Sequence, residues 1–208
     1  MPSLNSLHRF FASIIVVFIA LHLLNHLLAI VSVELHIIFM NAVRPFYRNL
    51  FVEVILLLSL LVQIFIRIKS VLRSRGKRRG FYQKAQVVSG LYLSFFILLH
   101  VSAVLYGRYF LELDTNFYFA ASGLYADVLV LFFVPYYFLA IVSVFTHIAC
   151  VVRYYIAMKS THAAANKFAL SIVIIGMLIS SLVIASLYGA FYEVIIPEIY
   201  QSMYEAKA

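Results

Sequence analysis

The chain has 208 residues, 65% hydrophobic and 12% charged, with a formal net charge of +8, where an ordinary soluble domain carries about 25% charged residues and about 45–50% apolar ones. So short a chain cannot hide that apolar excess in its interior, so the composition excludes a soluble globular domain and points to a bilayer. A single cysteine, Cys150, excludes an internal disulfide and a cysteine metal cluster.

Five apolar runs, 9–33, 49–69, 85–110, 119–153 and 167–196, are each long enough to cross a hydrocarbon core of about 30 Å as a helix. Helix is the expected state because lipid offers no partner to an open strand edge. The predicted fold is an all-α, five-transmembrane-helix bundle forming a single domain over 1–208, without repeats or low-complexity segments. The opening "MPSLNSLHRFF" has neither a basic n-region nor a small-residue cleavage site, so the first run is expected to be retained as a span.

Taken in order, the first run carries "FIALHLLNHLLAI", with His22, Asn25 and His26 deep in apolar sequence. The second opens near Glu53 and holds Gln63 in "LLLSLLVQIFIRI". It leads into the basic segment "RIKSVLRSRGKRRGFYQK". The third carries His100 in "GLYLSFFILLHVSAVLYG" and ends at Arg108. A polar and aromatic segment, "GRYFLELDTNFYFAASGLYAD", then reaches Asp127. The fourth run exceeds the length needed, so its start is expected to be interfacial or tilted. Pro135 in "FFVPYYF" is expected to kink it, and His147 lies near its end in "VSVFTHIACVV". Glu193, near the end of the fifth run, reads as an ordinary interfacial residue.

Charge sets the expected orientation. If the basic segment is cytoplasmic, that side collects twelve Lys and Arg residues and the other keeps Arg44, Arg48, Arg108 and Lys207. This positive-inside bias predicts a cytoplasmic N-terminus and an outside C-terminus, in a multi-pass protein of the bacterial inner membrane. A basic loop beside spans reads as a topology signal and a contact for lipid headgroups or a docking partner, not as a nucleic-acid surface, since no base-reading groups accompany it.

Depth links the histidines. His22 lies about thirteen residues into the first span, and His100 about fifteen into the third, between the depths of His22 and His26. Two imidazoles at one depth on different helices are what a b-type haem requires, one nitrogen for each face of the iron. The competing reading is that these imidazoles hydrogen-bond between helices as polar glue, worth about 0.6–2 kcal/mol each. His147 and Gln63 fall at similar depths nearer the cytoplasmic ends, a layer with one histidine and one amide. Glu53, Arg108 and Asp127 lie near outer span ends, where a quinone or proton path competes with simple ion pairing.

The stretches "LHRFFASIIVVFIALHLLNHL", "FVEVILLLSLLVQIFIRI", "KAQVVSGLYLSFFILLHVSAV" and "FLAIVSVFTHIACVV" resemble, in order, the first four helices of the five-helix cytochrome b anchor subunit of succinate dehydrogenases and fumarate reductases. In that family one ligating histidine per helix holds two haems, and the matching positions here are His22, Gln63, His100 and His147. Gln63 departs from the pattern, so the resemblance implies one haem, between His22 and His100, and leaves a second site in doubt. It also implies a quinone, near His147 and Gln63 or near Glu53 and Asp127. His26, one turn from His22, is left to contact a quinone or a haem propionate.

The expected function is thus an anchor-like cytochrome b that binds one haem b and passes electrons between a soluble partner subunit and membrane quinone. Membrane lipids and a second copy of the chain are the other expected partners. The chain shows no HExxH, P-loop or GxGxxG segment, so its part in an enzyme is at most that of a membrane redox subunit. Two alternatives from other classes stand beside this one: a haem-free scaffold or assembly subunit, and a small transporter with a polar path through His26, His100 and Asp127.

Overall fold

The computed structural model describes residues 4–73 and 80–204, with side chains from Phe10 onward. Five helices are long and apolar enough to cross a membrane, covering Phe10–Leu28, Leu50–Arg73, Phe81–Tyr109, Asp127–Ala157 and His162–Leu187. The described residues contain helices, turns and irregular segments, with no strand among them. This all-helical architecture fits a multi-pass integral membrane protein. The chain divides into two compact units, Met1–Arg75 and Gly76–Ala208.

The first unit is a three-helix packet. Helix α1 (Leu4–Leu28) packs on α2 (Val33–Tyr47) and on α3 (Leu50–Arg73), and α2 also touches α3. Helix α2 falls between the first two predicted spans. It begins at Ser32, whose hydroxyl accepts from the Leu35 N–H at 3.0 Å, with Glu34 in the first turn and Arg44 in the last. Those are the capping and charge preferences of a helix with free ends. Its buried residues, His36 and Met40, lie one turn apart, so a stripe of side chains faces α1 and α3. At fifteen residues α2 is too short to span.

The second unit is built around α6 (Val130–Ala157), which packs against both α4 (Phe81–Tyr109) and α7 (His162–Leu187). The α6–α7 pair is held by close approach. Gly176 of α7 sits against Phe145 of α6 with no room for a methyl group, and the Ser180 hydroxyl donates to the Phe138 carbonyl at 3.0 Å. Small residues at such a seam let backbones come near enough for dense packing in lipid, where helix association draws no hydrophobic driving force.

The start of the fourth run is a broken element. Asn116 caps a short helix, α5 (Phe117–Ser122). A turn and a 3-10 segment, Asp127–Leu129, then lead into α6. Pro135 therefore lies in the second turn of α6, where it removes one hydrogen bond close to the helix start. Helix α7 stops at Leu187, short of the predicted 196, because Gly189 adopts φ 79° and turns the chain out of the helical path. A last short helix, α8 (Glu198–Gln201), packs on α5. Six residues of the basic segment, 74–79, lie outside the described residues, as does the side chain of Arg9.

Candidate functional site

In the first unit, α1 and α2 bring three histidines into one group. The His22 and His26 rings meet edge to face with centroids 4.8 Å apart, and His26 lies 5.3 Å from His36. Asn25 and His36 form the buried centre of this group, with only 8% and 2% of their surfaces exposed. His36 Nδ1 lies 3.0 Å from the Asn25 backbone oxygen, and His36 Nε2 lies 3.3 Å from Asn25 Nδ2. A carbonyl can only accept, so Nδ1 carries the proton and Nε2 accepts from the amide. Burial pushes the His36 pKa below the ordinary value, and the nearby Arg44 charge pushes the same way against the raising effect of the Asn25 carbonyl. The neutral tautomer that the hydrogen bonds demand is thus also the one the surroundings favour. With its nitrogen committed to His36, the Asn25 side-chain oxygen is left buried with no hydrogen-bond partner among the described residues.

That oxygen belongs to a residue lining a cleft. Helices α1, α2 and α3 enclose about 380 Å³ between apolar side chains such as Phe39, Val43 and Leu56, with His22, Asn25 and Tyr47 as polar groups in the wall. The volume lies near the small end of ligand sites, which run from about 300 to about 1,000 Å³.

His22 itself is held by stacking. The Phe18 ring lies nearly parallel to it, 15° between planes and 5.7 Å between centroids. The second unit repeats this arrangement on α4, where Phe96 stacks on His100 at 13° and 5.0 Å. In each case the phenyl comes from the residue one turn earlier, which the helix period places beneath the imidazole. The sequence carries the signal as two near-identical pentapeptides, "FIALH" at 18–22 and "FILLH" at 96–100. Attention to the depth of the histidines alone passed over both phenylalanines.

The Phe96–His100 turn is further tied to α6. The Tyr136 hydroxyl donates to the Phe96 carbonyl at 3.3 Å, and the Tyr92 hydroxyl donates to the Tyr136 carbonyl at 3.0 Å. The Phe96 and Tyr136 rings also touch, with centroids 4.6 Å apart. These contacts fix the ring that fixes His100.

The remaining predicted residues lie on α3, α4, α6 and the 3-10 segment. His147 on α6 is bonded to Ser89 of α4, with Nδ1 and Oγ 3.3 Å apart. The Ser89 oxygen is also 3.3 Å from the Gln86 carbonyl. Ser89 has one proton, and where it goes to Gln86 the His147 Nδ1–H is the donor and Nε2 is the ring's acceptor. Gln63 lies half-buried on α3, one turn after the buried Ser59. Glu53 is in the first turn of α3, and Asp127 is exposed where the 3-10 segment begins. Arg108, in the last turn of α4, lies over the neighbouring Tyr109 ring at 4.4 Å and donates to its hydroxyl.

The donor set suits a metal that brings most of its own ligands. Among the described residues no three His, Cys, Asp or Glu side chains converge as a metal cage, whereas haem iron asks the protein for one imidazole on each side. His22, which lines an apolar cleft, offers an imidazole of that kind. No known protein family, curated protein or solved structure matches the chain.

Proposed function

We propose that the chain is a haem b-binding membrane subunit, resembling the cytochrome b anchors of succinate dehydrogenases and fumarate reductases, that passes electrons between a soluble partner subunit and membrane quinone. The observation that carries this reading is the pair of matching stacks, Phe18 on His22 and Phe96 on His100. An axial ligand works when its ring is held in one orientation by its surroundings. Polar glue asks for no such arrangement, since a histidine that only bridges helices needs a partner and not a platform.

In this reading His22 and His100 would be the residues that hold the haem iron, and Phe18 and Phe96 would set their ring planes. Tyr136 and Tyr92 hold the Phe96 turn against α6. The apolar side chains of the spans exclude water and so contribute to the potential. Haem b, when bound, supplies a reversible one-electron couple. His147, with its Nδ1 directed to Ser89, and Gln63 would contact quinone or a second cofactor, and His26 supports His22 through the edge of its ring. The N-terminus would be cytoplasmic, by the bias of basic residues, in a bacterial plasma membrane.

A second reading, a haem-free scaffold, is favoured by the hydrogen bonds of His36 to Asn25 and of His147 to Ser89, each of which ties one helix to another. The visible difference spectrum of the purified protein, reduced with dithionite minus oxidised, separates the two. Sharp α and Soret bands that vanish in His22→Ala and in His100→Ala support the cytochrome. A flat spectrum from folded protein expressed with haem supply would sink it in favour of the scaffold.

A further inference from the structure

Three helices of the second unit meet at Arg153. Its guanidinium carbon lies 4.0 Å from the centre of the Tyr82 ring, in the first turn of α4, and its Nε donates to Asn166 Oδ1 of α7 at 2.7 Å. Arg153 stands near the end of α6 and is half-buried, while its bond to Asn166 lies at the surface. A guanidinium carries five N–H donors in a rigid fork. One is committed to Asn166, and the other four find no acceptor among the described residues.

No negative charge of this unit comes near that fork. Residues 81–111 and 128–192 contain no Asp or Glu. Among the described residues, the acids of the unit are Glu112, Asp114, Asp127, Glu193 and Glu198, which follow α4, precede α6 or follow α7. They lie at the far ends of helices of 26 to 29 residues, about 40 Å away and beyond several screening lengths. At the Arg153 end, Lys84, Lys159 and Lys167 add exposed positive charge. Interleaved with these cations, Phe81, Tyr154, Tyr155, Met158 and Phe168 are exposed as well. Aromatic side chains at the end of a spanning helix sit at the level of lipid headgroups. A free anion has no use for such a rim. A phospholipid offers a phosphate to the guanidinium and its glycerol and first acyl carbons to the rings.

We propose that Arg153, held between Tyr82 and Asn166, binds the phosphate of an anionic membrane phospholipid, its terminal nitrogens donating to two phosphate oxygens. Both side chains that grip the guanidinium leave it pre-aimed, so little rotamer freedom remains to be lost on binding. The flanking lysines favour a headgroup with net negative charge over a zwitterionic one. The inference does not rest on the cytochrome reading, because its residues hold no haem in that reading and a haem-free scaffold keeps them all.

The test is native mass spectrometry of the full-length protein, delipidated in detergent and titrated with dioleoylphosphatidylglycerol or dioleoylphosphatidylcholine. Wild type should retain one phosphatidylglycerol at least about fivefold more tightly than phosphatidylcholine. Arg153→Lys keeps the charge and loses the fork, and should bring that ratio below about twofold. Tyr82→Leu removes the platform and should lower the ratio too, and it serves if the Arg153 variant fails to fold. Lys159→Gln changes the net charge and spares the fork, so it should keep most of the preference. Equal retention of the two lipids by wild type would overturn the proposal. So would a wild-type ratio in Arg153→Lys, or a loss in Lys159→Gln as large as in Arg153→Lys, since either makes the basic end a matter of net charge alone. Release of the bound lipid by millimolar inorganic phosphate would overturn it as well, and assign the fork to a soluble anion.

Discussion

His36 holds Asn25 through both of its ring nitrogens, one on the backbone oxygen at 3.0 Å and one on the side-chain amide at 3.3 Å. The two residues lie on antiparallel neighbours, each three positions from the end of its helix at the α1–α2 turn. This clasp closes a helical hairpin whose second arm is too short to be fixed by spanning the bilayer. Removing it should be expensive. His36→Ala leaves both Asn25 groups unsatisfied and a void behind them, so it should destabilise the protein by about 2–4 kcal/mol. Thermal unfolding in detergent, followed by circular dichroism, measures the loss, and an unchanged midpoint would show that the clasp contributes nothing.

The same residue predicts a response to pH. The His36 pKa lies below the ordinary 6.5 in the folded protein, first through burial and then through Arg44, with the Asn25 carbonyl opposing; the His26 ring is its other ionisable neighbour. Above about pH 6.5 both folded and unfolded chains hold it neutral, and its contribution to stability is complete. As pH falls below that value the unfolded chain takes up a proton that the folded one resists, so stability declines. Melting points measured from pH 8 down to 5 should be level at first and then fall. The fall should be shallower in His36→Gln, which keeps hydrogen-bonding groups without an ionisable one.

Tyr136 acts on His100 through Phe96. Tyr136→Phe deletes the hydroxyl that donates to the Phe96 carbonyl while keeping the ring contact, and should cost about 0.5–1.5 kcal/mol of stability. On the cytochrome reading it should also displace the midpoint potential found by redox titration, since it loosens the turn that orients the ligand. A loss of stability with an unmoved potential would make Tyr136 a packing residue only.

At the α6–α7 seam, Gly176→Ala drives a methyl group into Phe145, and it should destabilise by about 1–3 kcal/mol. Phe145→Ala opens the space that the methyl group needs. The two changes together should therefore cost less than the sum of each alone, a coupling that a double-mutant cycle of melting experiments reads directly. Additive costs would mean that the seam yields elsewhere.

Much of this protein is legible in hydropathy, and the parts that are not share a cause. Long apolar runs announce the five spanning helices because a hydrocarbon core demands both length and apolarity. Helix α2 carries Glu34, His36, Asn41, Arg44 and Pro45 in fifteen residues, so a search for span-length runs passes over it, and His36 goes with it. The end of α7 is invisible for the opposite reason. "YGAFYEVII" after Leu187 remains apolar enough to extend a span, and the stop depends on the backbone conformation of one glycine. His22 and His100 stand out as polar residues in apolar runs, whereas Phe18 and Phe96 are camouflaged by their surroundings and emerge only from the i, i+4 relationship. The orphaned oxygen of Asn25 is a matter of tertiary hydrogen bonding, which no one-dimensional pattern encodes.

The chain that follows Gly189 packs on parts of the second unit made long before it. Tyr200 donates to the Asp114 carbonyl at 2.8 Å, its ring lies 6.1 Å from Tyr118, and the Tyr204 ring lies 5.9 Å from Phe133. During synthesis these partners emerge before α7, so the short helix α5 and the start of α6 are made before their final cover. The closing segment therefore behaves as a latch thrown at the end of biogenesis, and a ribosome stalled after Leu187 would leave every spanning helix threaded yet the rim around α5 ajar.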